Sequence, residues 1–343
     1  MARSTVVLRK RSIFLVSFFL SSLLFFSASI LPAQTGLEDV HVLPFPHVGP
    51  ETLAVATIPA MPGSLPYVIH KDVNLVLVPV TVTDSQNRLV IGLTRDNFQV
   101  FDGKTLQDLR HFSSEDIPLS IGIIVDSSGS MKDKVERVHE AVTRFCESAN
   151  IEDEFFMITF ADVPHLVQDF TNSPEDIEKE MLFVQPKGQT ALLDAIYMGL
   201  SKMRTAKYSK RALLIVSDGG DNHSRYSEHE VKRVLKEADV AVYAIGTFDR
   251  TVPTVEEQLG PELLSSLAEP TGGRAFTISN INDLPEVARQ VGTELRAQYV
   301  LGYRPSSVPQ DGKWHKIHVK LQAPRKLPLL HAHAKAGYYA QLQ

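Results

Sequence analysis

Leu119-Ser120-Ile121-Gly122-Ile123-Ile124-Val125-Asp126-Ser127-Ser128-Gly129-Ser130-Met131 is the stretch that decides the fold. Its first seven residues form a near-continuous apolar run without alternation, the pattern of a strand covered on both faces. A segment of hydroxyls, one acid and one glycine follows at once. Beyond it, Val135, Val138, Ala141, Val142 and Phe145 recur at helical spacing. Buried strand, polar turn and helix in that order make the opening of a β–α series.

The series continues toward the C-terminus. Phe155-Phe156-Met157-Ile158-Thr159-Phe160 reads as a second buried strand, and residues 191–203 as a helix with Leu192, Ala195, Ile196, Gly199 and Leu200 inward. Ala212-Leu213-Leu214-Ile215-Val216-Ser217 is a third strand, followed by a helix over 226–238. Val240-Ala241-Val242-Tyr243-Ala244-Ile245 is a fourth. A short helix over 262–268, a short strand over 273–278 and a helix over 284–296 complete it. This order predicts an α/β domain over residues 117–297 with a doubly wound, mostly parallel sheet between helices.

Both flanks read as β. Residues 72–116 begin with Asn74-Leu75-Val76-Leu77-Val78-Pro79-Val80-Thr81-Val82-Thr83, rich in β-branched residues, and continue through Phe98-Gln99-Val100-Phe101. Residues 298–343 contain Tyr299-Val300-Leu301-Gly302-Tyr303, Lys316-Ile317-His318-Val319-Lys320-Leu321 and a strand signal over 331–339. The two flanks are expected to pair, so that the α/β domain is inserted in a small bipartite β domain. Insertion is easy where domain termini lie close together.

Residues 1–33 have the layout of a secretory signal: Arg3, Arg9, Lys10 and Arg11, then an apolar run, then small residues ending at Ala33. Residues 12–31 carry no charge and are long enough to span a bilayer, which leaves an uncleaved anchor as the alternative. Either way the body is expected outside the cytoplasm, periplasmic, cell-surface or secreted. Residues 34–71, with Pro44, Pro46, Pro50, Pro59, Pro62 and Pro66, read as a Pro-rich linker.

Lys+Arg number 35 against 40 Asp+Glu in 343 residues, a net charge of -5, which argues against general nucleic-acid binding. Cys146 is the one cysteine, which excludes an intrachain disulfide and any Cys-rich zinc site.

Three polar segments are placed to converge. Asp126-Ser127-Ser128-Gly129-Ser130 follows the first strand of the α/β series, Gly188-Gln189-Thr190 precedes a helix, and Asp218-Gly219-Gly220-Asp221 follows the third strand. Open α/β sheets bind ligands at the carboxyl ends of their strands. Asp126, Ser128 and Ser130 alternate, so one loop can aim three oxygens at a point; Thr190 adds a hydroxyl and Asp218 a second carboxylate. An all-oxygen set suits Mg²⁺, with Mn²⁺ or Ca²⁺ as alternatives, rather than zinc or copper. Two carboxylates only balance a divalent ion, so an acid from another molecule can still bind it. The plain alternative is that these small polar residues are helix caps.

The order Asp126-x-Ser128-x-Ser130, Thr190, Asp218 resembles the metal-ion-dependent adhesion site of von Willebrand factor type A domains, and the resemblance covers about residues 118–295. The flanks resemble those of bacterial exported relatives, in Val78-Pro79-Val80-Thr81-Val82-Thr83-Asp84 and Gln298-Tyr299-Val300-Leu301-Gly302-Tyr303. The resemblance implies that the hydroxyls of Ser128, Ser130 and Thr190 ligate directly and that Asp126 and Asp218 act partly through water. Gln189 departs from the glycine of many relatives.

The function expected is a non-enzymatic binding module: a divalent cation at the strand edge takes a carboxylate from a protein or peptide partner. No nucleic acid is implied, and a membrane only through the N-terminal segment. A metal-assisted hydrolase using the same edge, with His223 as its base, and a scaffold with a silent site are the alternatives. Other features have plain readings. His331 and His333 share a strand face, Cys146 is a buried thiol, and Lys202, Arg204, Lys207, Lys210 and Arg211 form a solvated helix end.

Overall fold

The computed structural model describes residues 75–218, 220–248, 255–306, 311–322 and 329–340. The expected signal and linker, residues 1–71, lie outside the described residues. In chain order, β1 (Val76–Asp84), β2 (Phe98–Asp102), β3 (Thr105–Gln107) and β4 (Leu109–Ser113) form the first flank. The α/β series then runs β5 (Ser120–Asp126), α1 (Val135–Glu147), β6 (Glu154–Phe160), β7 (Pro164–Thr171), α2 (Pro174–Met181), α3 (Leu192–Met203) and β8 (Arg211–Ser217). It continues with α4 (Glu228–Glu237), β9 (Ala241–Thr247), α5 (Val255–Ala268), β10 (Ala275–Ile278) and α6 (Leu284–Arg296). The second flank is β11 (Tyr299–Tyr303), β12 (Trp314–Leu321), β13 (Leu330–Ala334) and β14 (Gly337–Tyr339).

The central sheet has the order β10-β9-β8-β5-β6-β7, parallel throughout except for β7, which runs antiparallel to β6. Strands alternate their side chains between two cores. Ile121, Ile123 and Val125 of β5 pack with Val138, Val142 and Phe145 of α1, Ile177 of α2 and Leu284, Ala288 and Val291 of α6. Ile124 of β5 faces the other way, with Leu192, Ile196 and Leu200 of α3, Val231 and Leu235 of α4 and Leu264 of α5. Gly122 shares that second face, and a Cβ there would lie 2.3 Å from Phe156 Cζ and 2.6 Å from Leu213 Cδ2. The phenylalanine ring therefore fills the space that a side chain on β5 would need.

The flanks pair with each other, giving two antiparallel sheets, β13-β1-β11-β4 and β14-β12-β2-β3. Val78, Val80 and Val82 of β1 meet Val100 of β2, Tyr299 and Leu301 of β11 and Ile317 and Val319 of β12 in a third core. A buried polar trio joins this part to the α/β layer: Gln298 Nε2 donates to Thr81 Oγ1 (3.3 Å) and to Tyr243 Oη (3.4 Å).

Two elements depart from the sequence expectation. β7 and α2 fill a stretch where none was read, because β7 is a half-exposed edge strand without alternation and α2 has 8 residues. The short helix read over 262–268 begins earlier, at Val255, and carries Pro261 within it.

Candidate metal centre

The chain leaves β5 for β6 on one side and returns through α3 to β8 on the other, so the strand order reverses at the β5/β8 boundary. Such a switch point opens a crevice at the carboxyl ends of the strands. Asp126 is the last residue of β5, and Asp218 directly follows β8.

Asp126 is 1% exposed and both its carboxylate oxygens are held. Oδ1 accepts the Ser128 backbone N–H (2.8 Å) and Oδ2 the Ser217 hydroxyl (2.6 Å). Burial, and after it the neighbouring Asp218 carboxylate, push the Asp126 pKa up to about 6, against hydrogen bonds that pull it down. Asp218 is 2% exposed, and its Oδ2 has no hydrogen-bond partner among the described residues. The Lys134 ammonium lies 3.6 Å from that oxygen.

The hydroxyls spend themselves on each other. Ser128 Oγ and Ser130 Oγ are 3.0 Å apart and hydrogen bonded. Ser128 stands at the N-cap of the short 3-10 turn Gly129–Met131 yet makes no side-chain cap bond, and the residues before α1 and α3 are Lys134 and Ala191. The helix-cap alternative therefore finds no support in the geometry: no side chain of the set caps a helix.

Backbone bonds tie the three loops into one edge. Gly129 N–H donates to Gly188 O (3.1 Å) and Lys187 N–H to Ser127 O (2.9 Å). Thr190, buried, donates its N–H to Asn222 Oδ1 (3.0 Å), and its carbonyl accepts from the N–H groups of Asn222 and His223. Gly188 has φ +85°, and a Cβ there would sit 2.7 Å from Asp162 Oδ2, so this turn takes glycine for both conformation and space. Asp162 Oδ1 in turn accepts the Gln189 N–H at 2.8 Å. Ser217, Asn222, Asp162 and Lys134 thus shape the site without having stood out in the sequence. Ser217 and Asn222 adjoin singled-out segments; Asp162 and Lys134 carry no local signal.

These residues fit a hard divalent ion on three observations. A buried carboxylate oxygen is unspent, two buried carboxylates repel each other, and a pair of hydroxyls is free of any capping duty. Among the described residues no group of three or more His, Cys, Asp and Glu is placed to hold a metal, and the set here combines two carboxylates with hydroxyls. His333 Nε2 is bonded to Thr83 Oγ1 (3.0 Å), and Cys146 is buried, its thiol pushed up to about 12 by burial. The basic cluster is not one solvated helix end. Lys202 pairs with Asp169 (2.5 Å), and Lys210 is buried, donating to the Leu295 carbonyl at the end of α6 (2.6 Å).

The α/β part is a mostly parallel sheet flanked by helices on both faces, with Asp-x-Ser-x-Ser starting at the end of β5. Residues 121–220 match the family model described as von Willebrand factor type A domain. No curated protein matches the sequence. Among solved structures, a von Willebrand factor type A protein from Catenulispora acidiphila is 12% identical with a TM-score of 0.46, covering 76% of this chain and 73% of its own. The conserved hypothetical protein BatB from Bacteroides thetaiotaomicron is 17% identical (TM-score 0.43; 52% and 98% covered). The vWF domain of the type V pili tip protein Mfa5 from Porphyromonas gingivalis is 11% identical (TM-score 0.44; 52% and 95% covered).

Proposed function

We propose that the chain is a metal-dependent binding module acting outside the cytoplasm. Asp126, Ser128, Ser130, Thr190 and Asp218 hold a divalent cation, Mg²⁺ or Mn²⁺ before Ca²⁺, and a protein or peptide partner supplies a carboxylate to it. The observation that carries this reading is the pair of buried carboxylates at adjacent strand ends, one with an oxygen left unspent. Two ionised carboxylates side by side out of water are costly, and a divalent cation beside them offsets that cost more fully than the single Lys134 ammonium 3.6 Å from Asp218 Oδ2. The ion supplies a Lewis-acidic position open to the partner's oxygen.

A binding role needs only the cation and an open position for the partner's carboxylate, whereas a hydrolase would also need a base beside the ion; His223 donates its backbone N–H to the Thr190 carbonyl at this edge. Export is supported by the basic and apolar N-terminal segment. Among the described residues no helix is long and apolar enough to cross a membrane.

The test is calorimetric titration of Mg²⁺ and Mn²⁺ into the wild type and Asp126→Ala, followed by capture of exported proteins with and without chelator. Ion binding lost in Asp126→Ala, with partner capture lost in chelator and restored by the ion, supports the reading. Equal ion affinity in the two proteins, or capture indifferent to chelator, overturns it.

A further inference from the structure

Lys134 stands where a cation is least at home. It is the N-cap residue of α1, and the first-turn N–H groups of a helix already present positive potential. Its side chain turns into the site, with 17% of its surface exposed. Nζ donates to the Thr247 carbonyl, the last of β9, at 3.1 Å and lies 3.6 Å from Asp218 Oδ2. That carboxylate oxygen is one of two buried side-chain oxygens without a hydrogen bond among the described residues, and the other, Glu294 Oε2, lies on α6. The chain has thus carried a positive charge to the acidic strand edge and pinned it between two strand ends.

We propose that the Lys134 ammonium is a built-in counter-ion that competes with the divalent cation for Asp218, so that loading is an exchange rather than a simple addition. The inference rests on the metal reading above and adds a residue to it. Asp126, Asp218 and Lys134 together carry a single negative charge, against two for the carboxylates alone. The ammonium therefore weakens the attraction for an incoming cation, and it relieves the carboxylate repulsion while no cation is held. With the cation in place and Lys134 still bonded to Thr247, the centre becomes net positive, which favours an anionic group from outside.

The experiment titrates Mn²⁺ and Mg²⁺ alone into wild type, Lys134→Met, Lys134→Gln, Lys134→Arg and Lys132→Met, and melts each in chelator and in excess ion. Lys132 is exposed and controls for surface charge. Removing one charge a few ångströms from a charged site shifts an equilibrium by about one to three decades. Lys134→Met and Lys134→Gln are expected to bind the ion about tenfold tighter or more, Lys134→Arg and Lys132→Met close to wild type. The two neutral variants should also melt below wild type in chelator and recover in excess ion. Wild-type ion affinity in both neutral variants, or equal tightening in Lys132→Met, overturns the inference and leaves the metal reading standing. Ion binding by neither the wild type nor the neutral variants overturns the metal reading and this inference together.

Discussion

Ser217 Oγ donates to Asp126 Oδ2 at 2.6 Å, so the last side chain of β8 orients the carboxylate that ends β5. The two strands are neighbours in register, Val125 facing Val216, and their ends are where the sheet reverses its order. A hydrogen bond between strand ends fixes the rotamer of the acid before any ion arrives. Such outer partners are worth about 10–100-fold in metal affinity. Ser217→Ala is therefore expected to keep its far-ultraviolet circular dichroism and lose roughly tenfold in Mn²⁺ affinity by calorimetry. Unchanged affinity would show that Asp126 is held well enough by the Ser128 N–H alone.

Gly122 lies against Phe156 and Leu213, with no room for a methyl group on its inner face. Overpacking a filled core costs about 1–3 kcal/mol. Gly122→Ala should lower the urea midpoint correspondingly while leaving the denaturant slope unchanged. Stability equal to wild type would mean that the ring moves aside freely.

Arg274 and Glu294 form a buried ion pair, 2.5 Å between Nη1 and Oε1, with side-chain exposures of 8% and 0%. Burial raises the Glu294 pKa while the guanidinium beside it opposes that rise. Arg274→Met leaves the carboxylate without its counter-charge, with only Gln290 Nε2 donating to Oε1 (3.0 Å) and no hydrogen bond to Oε2 among the described residues. A loss of about 3–5 kcal/mol is expected at neutral pH. The double variant Arg274→Met, Glu294→Leu should regain most of it. A double variant no better than the single one would assign the loss to packing.

His333 is held neutral: burial, then Arg274 and His331, bring its pKa down to about 4 from 6.5. Below pH 6.5 the unfolded chain takes up a proton that the folded chain refuses until about pH 4, so unfolding gains as pH falls through that window. Partial exposure limits the effect to about 1–2 kcal/mol. His333→Gln should therefore lose less stability than wild type between pH 7 and about pH 4.5 in paired urea titrations. Parallel pH profiles for the two proteins would contradict the assignment.

The α/β layer was legible because both of its faces are buried. Continuous apolar runs such as Ile121-Gly122-Ile123-Ile124-Val125 and Leu213-Leu214-Ile215-Val216, alternating with helical periodicity, are the pattern of inner parallel strands. β7 escaped notice for the opposite reason. As an edge strand with one neighbour, it exposes His165 and Leu166 and needs no alternation.

Local pattern also singled out the residues proposed for the site. Acids, hydroxyls and glycines directly after an apolar strand can only lie at its carboxyl end, and that much is a property of the chain read in order. What the chain in order does not contain is distance. Lys134 reads as one of several bases around the start of α1, and nothing beside it in the sequence points to Asp218. Pairing of the two flanks was expected from the sequence, but that β1 lies between β11 and β13, and in which register, follows from where the inserted domain returns its ends. Hydrophobic periodicity and turn chemistry act over a few residues, so they determine elements and the loops between them. Ion pairs, outer hydrogen bonds and the charge of the strand edge depend on through-space separations of 2.6 to 3.6 Å between loops, and packing of the complete sheet sets those.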